Sequence, residues 1–135
     1  MEFTPVCQPF LDGNEIKYVE DCIKTGWISS SGKYVKAFEE SFASYCGAKY
    51  AVGVCNGTVA IHLALQALGV KKGDEVIIPS FTMIASAFAV CYTGAKPVFV
   101  DSEPNSWNID VDKIEEQITS KTKVIMPVSI FGHPC

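Results

Sequence analysis

The sequence predicts a three-layer α/β fold, with a mostly parallel sheet held between helices. Three observations carry that expectation. Helix-like and strand-like periodicity alternate along the chain, which implies parallel strands joined by right-handed crossovers. The strand-like segments are near-continuous apolar runs, as expected of strands buried on both faces. The 135 residues are 48% hydrophobic and only 19% charged, enough for one modest domain with its own core.

The elements follow in order. Asn14 is placed to cap a helix with apolar positions Ile16, Val19 and Ile23, and Gly26 stops it. Residues 27–32, WISSSG, read as a loop. A second helix carries Val35, Phe38, Phe42 and Tyr45 on one face and ends at Gly47. Residues 50–54, YAVGV, are short, apolar and bounded by polar residues, which predicts a buried strand. A helix over 58–68 is closed by Gly69, and residues 71–74, KKGD, form a turn. EVIIP at 75–79 predicts a strand ended by Pro79, and residues 83–92 a nearly all-apolar helix closed by Gly94. PVFVD at 97–101 is a third strand. Asp110 caps a helix with Val111, Ile114 and Ile118, and KVIMPV at 123–128 is a fourth strand. The chain then stops in a loop, FGHPC, with nothing to cover that strand, so it reads as the front portion of a larger protein.

Composition excludes several classes. The net charge is −4, and all eleven basic residues are scattered lysines, which leaves no stripe for a nucleic-acid backbone. No apolar stretch is long enough to span a bilayer, and MEFTPVCQPF lacks the basic-then-apolar order of a signal peptide. The six cysteines contain no CxxC pair, and His62 and His133 lie far apart, which argues against a metal site. Most of the cysteines sit in apolar contexts, where a free thiol acts as a small hydrophobe; Cys55 is read as packing, and the whole pattern suits a reducing, cytoplasmic compartment. His62, within an apolar helix, reads as a core or face residue.

In a parallel sheet ligands collect at the carboxyl ends of the strands, so the informative residues follow Val54, Pro79, Val100 and Val128. After the first run come Asn56, Gly57 and Thr58 at a helix mouth. Unpaired N–H groups, a bare backbone at Gly57 and the Thr58 hydroxyl make a phosphate cradle there, or a plain helix cap. Neither GxGxxG nor GxxxxGK[ST] is present. Phe81, after the second strand, is an aromatic for stacking on a flat ring, or an ordinary core residue. Trp27 beside Ser29 suits a polyhydroxylated ligand or an ordinary loop, and Asp101 and Asn108 either bind a ligand or cap a turn.

Six blocks in order, WISSSG, FEESFASYCGAKYAV, CNGTVAIHLAL, GDEVIIPSFTMIASAFAV, TGAKPVFVDSEPNSWNID and ITSKTKVIMPVSIFGHPC, cover nearly the whole chain. Together they resemble the N-terminal part of the DegT/DnrJ/EryC1/StrS sugar aminotransferases. The resemblance implies an aspartate-aminotransferase-like fold (PLP fold type I), incomplete here, and pyridoxal 5′-phosphate as cofactor. It divides the chain into residues 1–32, an N-terminal segment and helix with a substrate-side loop, and residues 33–135, the first part of the cofactor-binding large domain. It assigns Gly57 and Thr58 to the cofactor phosphate, Phe81 to stacking on the pyridine ring, and Trp27, Ser29, Thr82 and Met83 to the sugar nucleotide.

The blocks CNGTVAIHLAL and PVFVDSEPNSW are most similar to members that aminate GDP-4-keto-6-deoxymannose with glutamate; related members use UDP- or dTDP-linked 4-keto sugars. The resemblance further implies a homodimer with shared active sites, and a place in surface-glycan biosynthesis such as lipopolysaccharide O-antigen. It assigns no catalytic residue here: the lysine that forms the Schiff base and the aspartate that pairs with the pyridine nitrogen are expected downstream of Cys135. Ser129 departs from the pattern, because many members carry histidine there. Two alternatives stay open from the sequence: a non-catalytic αβ module for binding or assembly, and a sugar dehydratase of the same family in which histidine replaces the lysine.

Overall fold

The computed structural model describes residues 3–5 and 7–135. The chain divides into two compact units, Met1–Gly53 and Val54–Cys135. By contacts the boundary lies at 53/54, so the helix expected to open the large domain groups with the N-terminal one rather than with the sheet.

The first unit is a pair of helices, α1 (Glu15–Thr25) and α2 (Lys33–Tyr45). Asn14 makes no side-chain cap; the Glu15 carboxylate instead accepts from the Gly13 N–H, ahead of the helix, at 2.9 Å. Gly26 ends α1 in the left-handed conformation, at φ 75°, where a Cβ would be strained. The two helices are tied by Asp21, which accepts from the Tyr34 hydroxyl at 3.0 Å and pairs with the Lys33 ammonium. Those two donors hold the Asp21 carboxyl below the usual carboxylate range. Tyr18 and Tyr34 pack with ring centroids 4.8 Å apart. The apolar stripe of α2 exists, but its aromatics stay open: Phe38, Phe42 and Tyr45 are all exposed, and Ala43 alone is buried in this helix.

The second unit holds the sheet. In order it comprises α3 (Gly57–Ala67), β1 (Glu75–Pro79), α4 (Ala85–Tyr92), β2 (Lys96–Val100), a 3₁₀ turn at Val111–Lys113 leading into the one-turn α5 (Ile114–Gln117), β3 (Thr122–Ile125) and a second 3₁₀ turn at Ile130–Gly132. The strands are parallel in the order β2-β1-β3. Successive side chains of the central strand point to opposite faces. Val76 and Ile78 join Leu65 of α3 and Ala87, Ala89 and Val90 of α4 on one face. Ile77 joins Val100 and Ile109 on the other, with Ile114 of α5 packed against them. The sheet is therefore covered on both sides, which is the layering the sequence predicts.

Three expectations need correction. Residues 50–54 form no strand, and Val52 is 69% exposed: among the described residues no strand lies alongside to pair their N–H and C=O groups, and an apolar run without a ladder partner stays extended loop. The helix expected from Asp110 to Ile118 is reduced to two short turns. Asp110 caps as expected, accepting from the Asp112 N–H at 3.2 Å, but Ile114 is the one residue of the set that packs on the sheet, and Val111 and Ile118 remain exposed. The cysteines are not packing residues: Cys7, Cys46, Cys55, Cys91 and Cys135 are exposed and Cys22 is half-buried, all with free thiols. No described helix is long and apolar enough to cross a membrane.

The loop leaving β2 is built around Glu103. Its carboxylate accepts from the Asn105 N–H at 2.8 Å and from both the N–H and the hydroxyl of Ser106. These donors favour the charged form, the Ser106 hydroxyl most, and lower its pKa from 4.5 to about 2. A carboxyl with a depressed folded pKa contributes stability that is complete above its unfolded value and is lost as pH falls from about 4.5 toward about 2. Glu103→Gln should therefore flatten the acid limb: between pH 6 and pH 3 the wild type loses more Tm than the variant. Parallel pH–Tm curves would show that the carboxylate is not engaged in solution.

Candidate functional site

The site is built at the carboxyl ends of β1 and β3, opposite the mouth of α3. Asn56 precedes the helix in extended conformation, and its Oδ1 accepts from the Val59 N–H at 3.0 Å. The first intrahelical bond runs from the Ala60 N–H to the Asn56 carbonyl at 3.1 Å. The cap thus satisfies the third N–H of the helix and leaves the first two, on Gly57 and Thr58, with no partner among the described residues. The Thr58 hydroxyl likewise has none, and a Cβ built on Gly57 meets no atom within 4 Å. These groups sit where the helix dipole is positive.

A cavity of about 570 Å³ opens in front of them, lined by Gly57, Thr58, Thr82, Met83, Ser86 and Ser129 among others, with Ile61 and Met126 as apolar wall. No carboxylate and no lysine lines it. Thr82 Oγ1 and Ser86 Oγ lie 3.0 Å apart, and Ser86 is 3% exposed. Ser129 Oγ accepts from the Cys135 N–H at 3.3 Å, which folds the end of the chain back beside the cavity. The donor set fits an anionic phosphate: two free N–H groups, a free hydroxyl, the positive end of an eleven-residue helix, and no competing negative charge.

The structure brings Gly57, Thr58, Thr82 and Met83 to one cavity and leaves Phe81 out of it. Phe81 turns the other way, into a cluster with Trp107 and Phe131 at centroid distances of 5.6 and 6.4 Å, where it lines a separate cavity of about 500 Å³ with Ser106, Ile130 and His133. Aromatic partners on that side account for its direction, and the cavity in front of α3 is lined by Met83 and not by Phe81. Trp27 and Ser29 belong to the first unit; Trp27 is 54% exposed, and the Ser29 hydroxyl is spent within its own loop, on the Ser31 carbonyl at 3.4 Å.

Asp101 and Asn108 serve the scaffold. Asp101 accepts from the Ser80 hydroxyl at 3.3 Å, linking the ends of β1 and β2. Buried Asn108 donates through Nδ2 to the Pro134 carbonyl at 2.8 Å, fastening the loop after β2 to the chain end. His62 sits half-buried on α3, its ring 5.8 Å from that of Tyr92. Sequence reasoning missed Ser86. The available signal was a lone serine in an otherwise apolar helix beginning just after the Thr82 hydroxyl.

The chain is similar to known proteins over nearly its whole length. The chain is 53% identical over 135 residues to a GDP-perosamine synthase of Escherichia coli O157:H7, an alignment that covers 100% of this chain and 37% of that protein. It is 54% identical over 130 residues to a GDP-perosamine synthase of Caulobacter vibrioides, covering 96% of this chain and 35% of that one. Among solved structures, an aminotransferase from Psychrobacter cryohalolentis superposes with a TM-score of 0.84 at 37% identity, over 95% of this chain and 33% of its own. NtdA of Bacillus subtilis, solved with the cofactor PMP bound, superposes at 0.80 and 39% identity, over 87% of this chain and 27% of its own. The chain thus spans about a third of the length of the curated relatives it matches. The model of the DegT/DnrJ/EryC1/StrS aminotransferase family matches residues 9–135, and the chain belongs to that family.

Proposed function

We propose that this chain supplies the phosphate cup and part of the substrate wall of a pyridoxal-phosphate-dependent aminotransferase that acts on a nucleotide-linked 4-keto-6-deoxy sugar, with GDP-4-keto-6-deoxymannose as acceptor and glutamate as amino donor. The observation that carries the reading is the unspent donor set at the mouth of α3, facing an uncharged cavity, in a chain 53–54% identical to proteins named GDP-perosamine synthase. Gly57 and Thr58 hold the coenzyme phosphate through their backbone N–H groups and the Thr58 hydroxyl. When bound, the coenzyme supplies an electron sink conjugated to the amino group being moved. Thr82 and Met83 line the same cavity, where Met83 offers a polarizable thioether to a flat ring and Thr82 a hydroxyl to a polar substituent. Trp27 and Ser29 remain candidates for the sugar nucleotide.

No lysine lines the cavity, so covalent attachment of the coenzyme falls to a lysine outside these 135 residues. The absence of a carboxylate from the wall likewise leaves pairing of the pyridine nitrogen to an aspartate elsewhere. A homodimer completing each site from the neighbouring subunit belongs to the same proposal.

The test uses the full-length protein. With stoichiometric coenzyme it should take on visible absorbance, lose that absorbance on addition of glutamate, and convert GDP-4-keto-6-deoxymannose to an amino sugar in preference to UDP- and dTDP-linked 4-keto sugars. Borohydride reduction followed by peptide mapping should leave every lysine of residues 1–135 unlabelled. A reduced adduct on any of those lysines, or failure to take up the coenzyme, overturns the reading.

A further inference from the structure

Two hydroxyls on the cavity wall have one hydrogen bond between them. Thr82 Oγ1 and Ser86 Oγ, 3.0 Å apart, each carry a proton, and either can be the donor. Whichever donates, the other proton needs an acceptor, and among the described residues none is within reach. Serine within a helix can spend its proton on the carbonyl four residues back. Here Ser86 is the second residue of α4, is 3% exposed, and meets the side chain of Thr82, which precedes the helix. Both residues line the cavity that Gly57 and Thr58 open onto, where the Gly57 and Thr58 N–H groups and the Thr58 hydroxyl are also donors without an acceptor among the described residues, while the Ser129 hydroxyl is engaged with Cys135. A buried hydroxyl left without an acceptor is costly, so a wall built this way is matched to a ligand that brings an oxygen.

We propose that Thr82 and Ser86 act as one hydroxyl pair that donates a single hydrogen bond to a ligand oxygen, with Ser86 as the positioning residue that fixes the rotamer of Thr82. The inference rests on the aminotransferase reading. The acceptor is an oxygen carried either by the coenzyme phosphate or by the sugar, and the two sources separate in the measurement.

The experiment is a double-variant cycle in the full-length protein with Ser86→Ala, Thr82→Val and the combination, read by pyridoxal phosphate affinity of the apo protein and by KM for the nucleotide sugar at saturating coenzyme. Alanine is a good helix former, so Ser86→Ala should retain the Tm. Each single variant should weaken one of the two constants by about tenfold, the effect of a lost hydrogen bond to a charged or strongly polar oxygen. The double variant should be no worse than the poorer single, because the pair makes one bond to the ligand. Thr82→Ser, which keeps the hydroxyl, should stay within about twofold of wild type. A shift in coenzyme affinity assigns the acceptor to the phosphate, and a shift in KM alone assigns it to the sugar; both support the pair. Singles within twofold of wild type in a protein that binds its coenzyme, or effects that multiply in the double variant, overturn the pair and leave the aminotransferase reading standing. A wild type that binds no coenzyme overturns both.

Discussion

Gly57→Ala should weaken pyridoxal phosphate binding by about 10- to 100-fold while leaving the Tm of the protein unchanged or slightly higher. The two halves of that expectation come from different properties of one position. Gly57 is the first residue of α3 with a helical backbone, so no left-handed conformation requires glycine there, and alanine is the better helix former. An added Cβ meets no protein atom within 4 Å, so it introduces no internal clash. The space it enters is the front of the helix mouth, where a phosphate must approach the Gly57 and Thr58 N–H groups closely to bond them. Displacing the phosphate stretches charge-assisted bonds worth about 1.5–3 kcal/mol each, which is the stated range of affinity. Thr58→Val, which removes one donor and keeps the shape, should cost about tenfold. Coenzyme titration of the purified apo protein, with a thermal melt as control, gives both numbers. Wild-type affinity in Gly57→Ala would place the phosphate somewhere other than the α3 mouth.

The cap at the start of α3 is legible in the sequence while its surroundings are not. Asn-Gly-Thr before a helical apolar run is local information: cap, bare backbone and hydroxyl occupy consecutive positions, and the chain geometry alone puts them together. The same holds for β1, whose apolar run is buried on both faces and leaves the strand no polar side; β2 and β3 flank it as edge strands, where Phe99 and Ile125 stay exposed and the apolar runs carry the signal alone. Residues 50–54 have the same local signature and fail as a strand, because pairing depends on a neighbour elsewhere. In a chain spanning about a third of its relatives' length, the pairing surface is not among the described residues. The exposed aromatics of α2 show the same effect.

Phe81 illustrates a second kind of limit. It lies just beyond β1, and the periodicity of a strand says which faces alternate, but residues 80–84 lie outside the strand, where that rule lapses. Which way the ring turns was decided by Trp107 and Phe131, residues 26 and 50 positions away by subtraction from 81. Trp107 and Phe131 both carry positive φ, at 63° and 49°, which sequence patterns do not announce for aromatic residues. Ser86 is the opposite case: it is visible as the odd residue in an apolar helix, but its contact with Thr82, which lies before that helix, is not.

Ile77→Ala and Ile78→Ala test the layered fold itself. Both residues are 0% exposed on the central strand, adjacent in sequence and opposed in direction. Ile78 lies in the larger apolar group with Leu65, Val76 and Val90, under α3 and α4. Ile77 lies in the smaller one with Val100 and Ile109, backed by Ile114. Truncating a fully buried isoleucine to alanine costs about 2–5 kcal/mol through lost transfer energy and the cavity left behind. Ile78→Ala should fall near the upper end, about 4 kcal/mol, because its neighbours belong to helices and strands that hold one another in place and collapse poorly. Ile77→Ala should fall near the lower end, about 2–3 kcal/mol, because the one-turn α5 can settle into the gap. The two groups share no residue, but the two positions are consecutive on one strand, so the departure of the double variant from the sum measures the coupling between the layers through that strand. Against a whole-domain stability of about 5–15 kcal/mol, the two losses together leave the sheet near the edge of folding. Equilibrium denaturation of the full-length protein, followed by a probe in residues 54–135, reads all three values. A sheet covered on one face only would lose several kcal/mol at Ile78 and under about 1 kcal/mol at Ile77, since an exposed strand face tolerates truncation. Substantial costs at both positions are what distinguish helices on two sides of the sheet from helices on one.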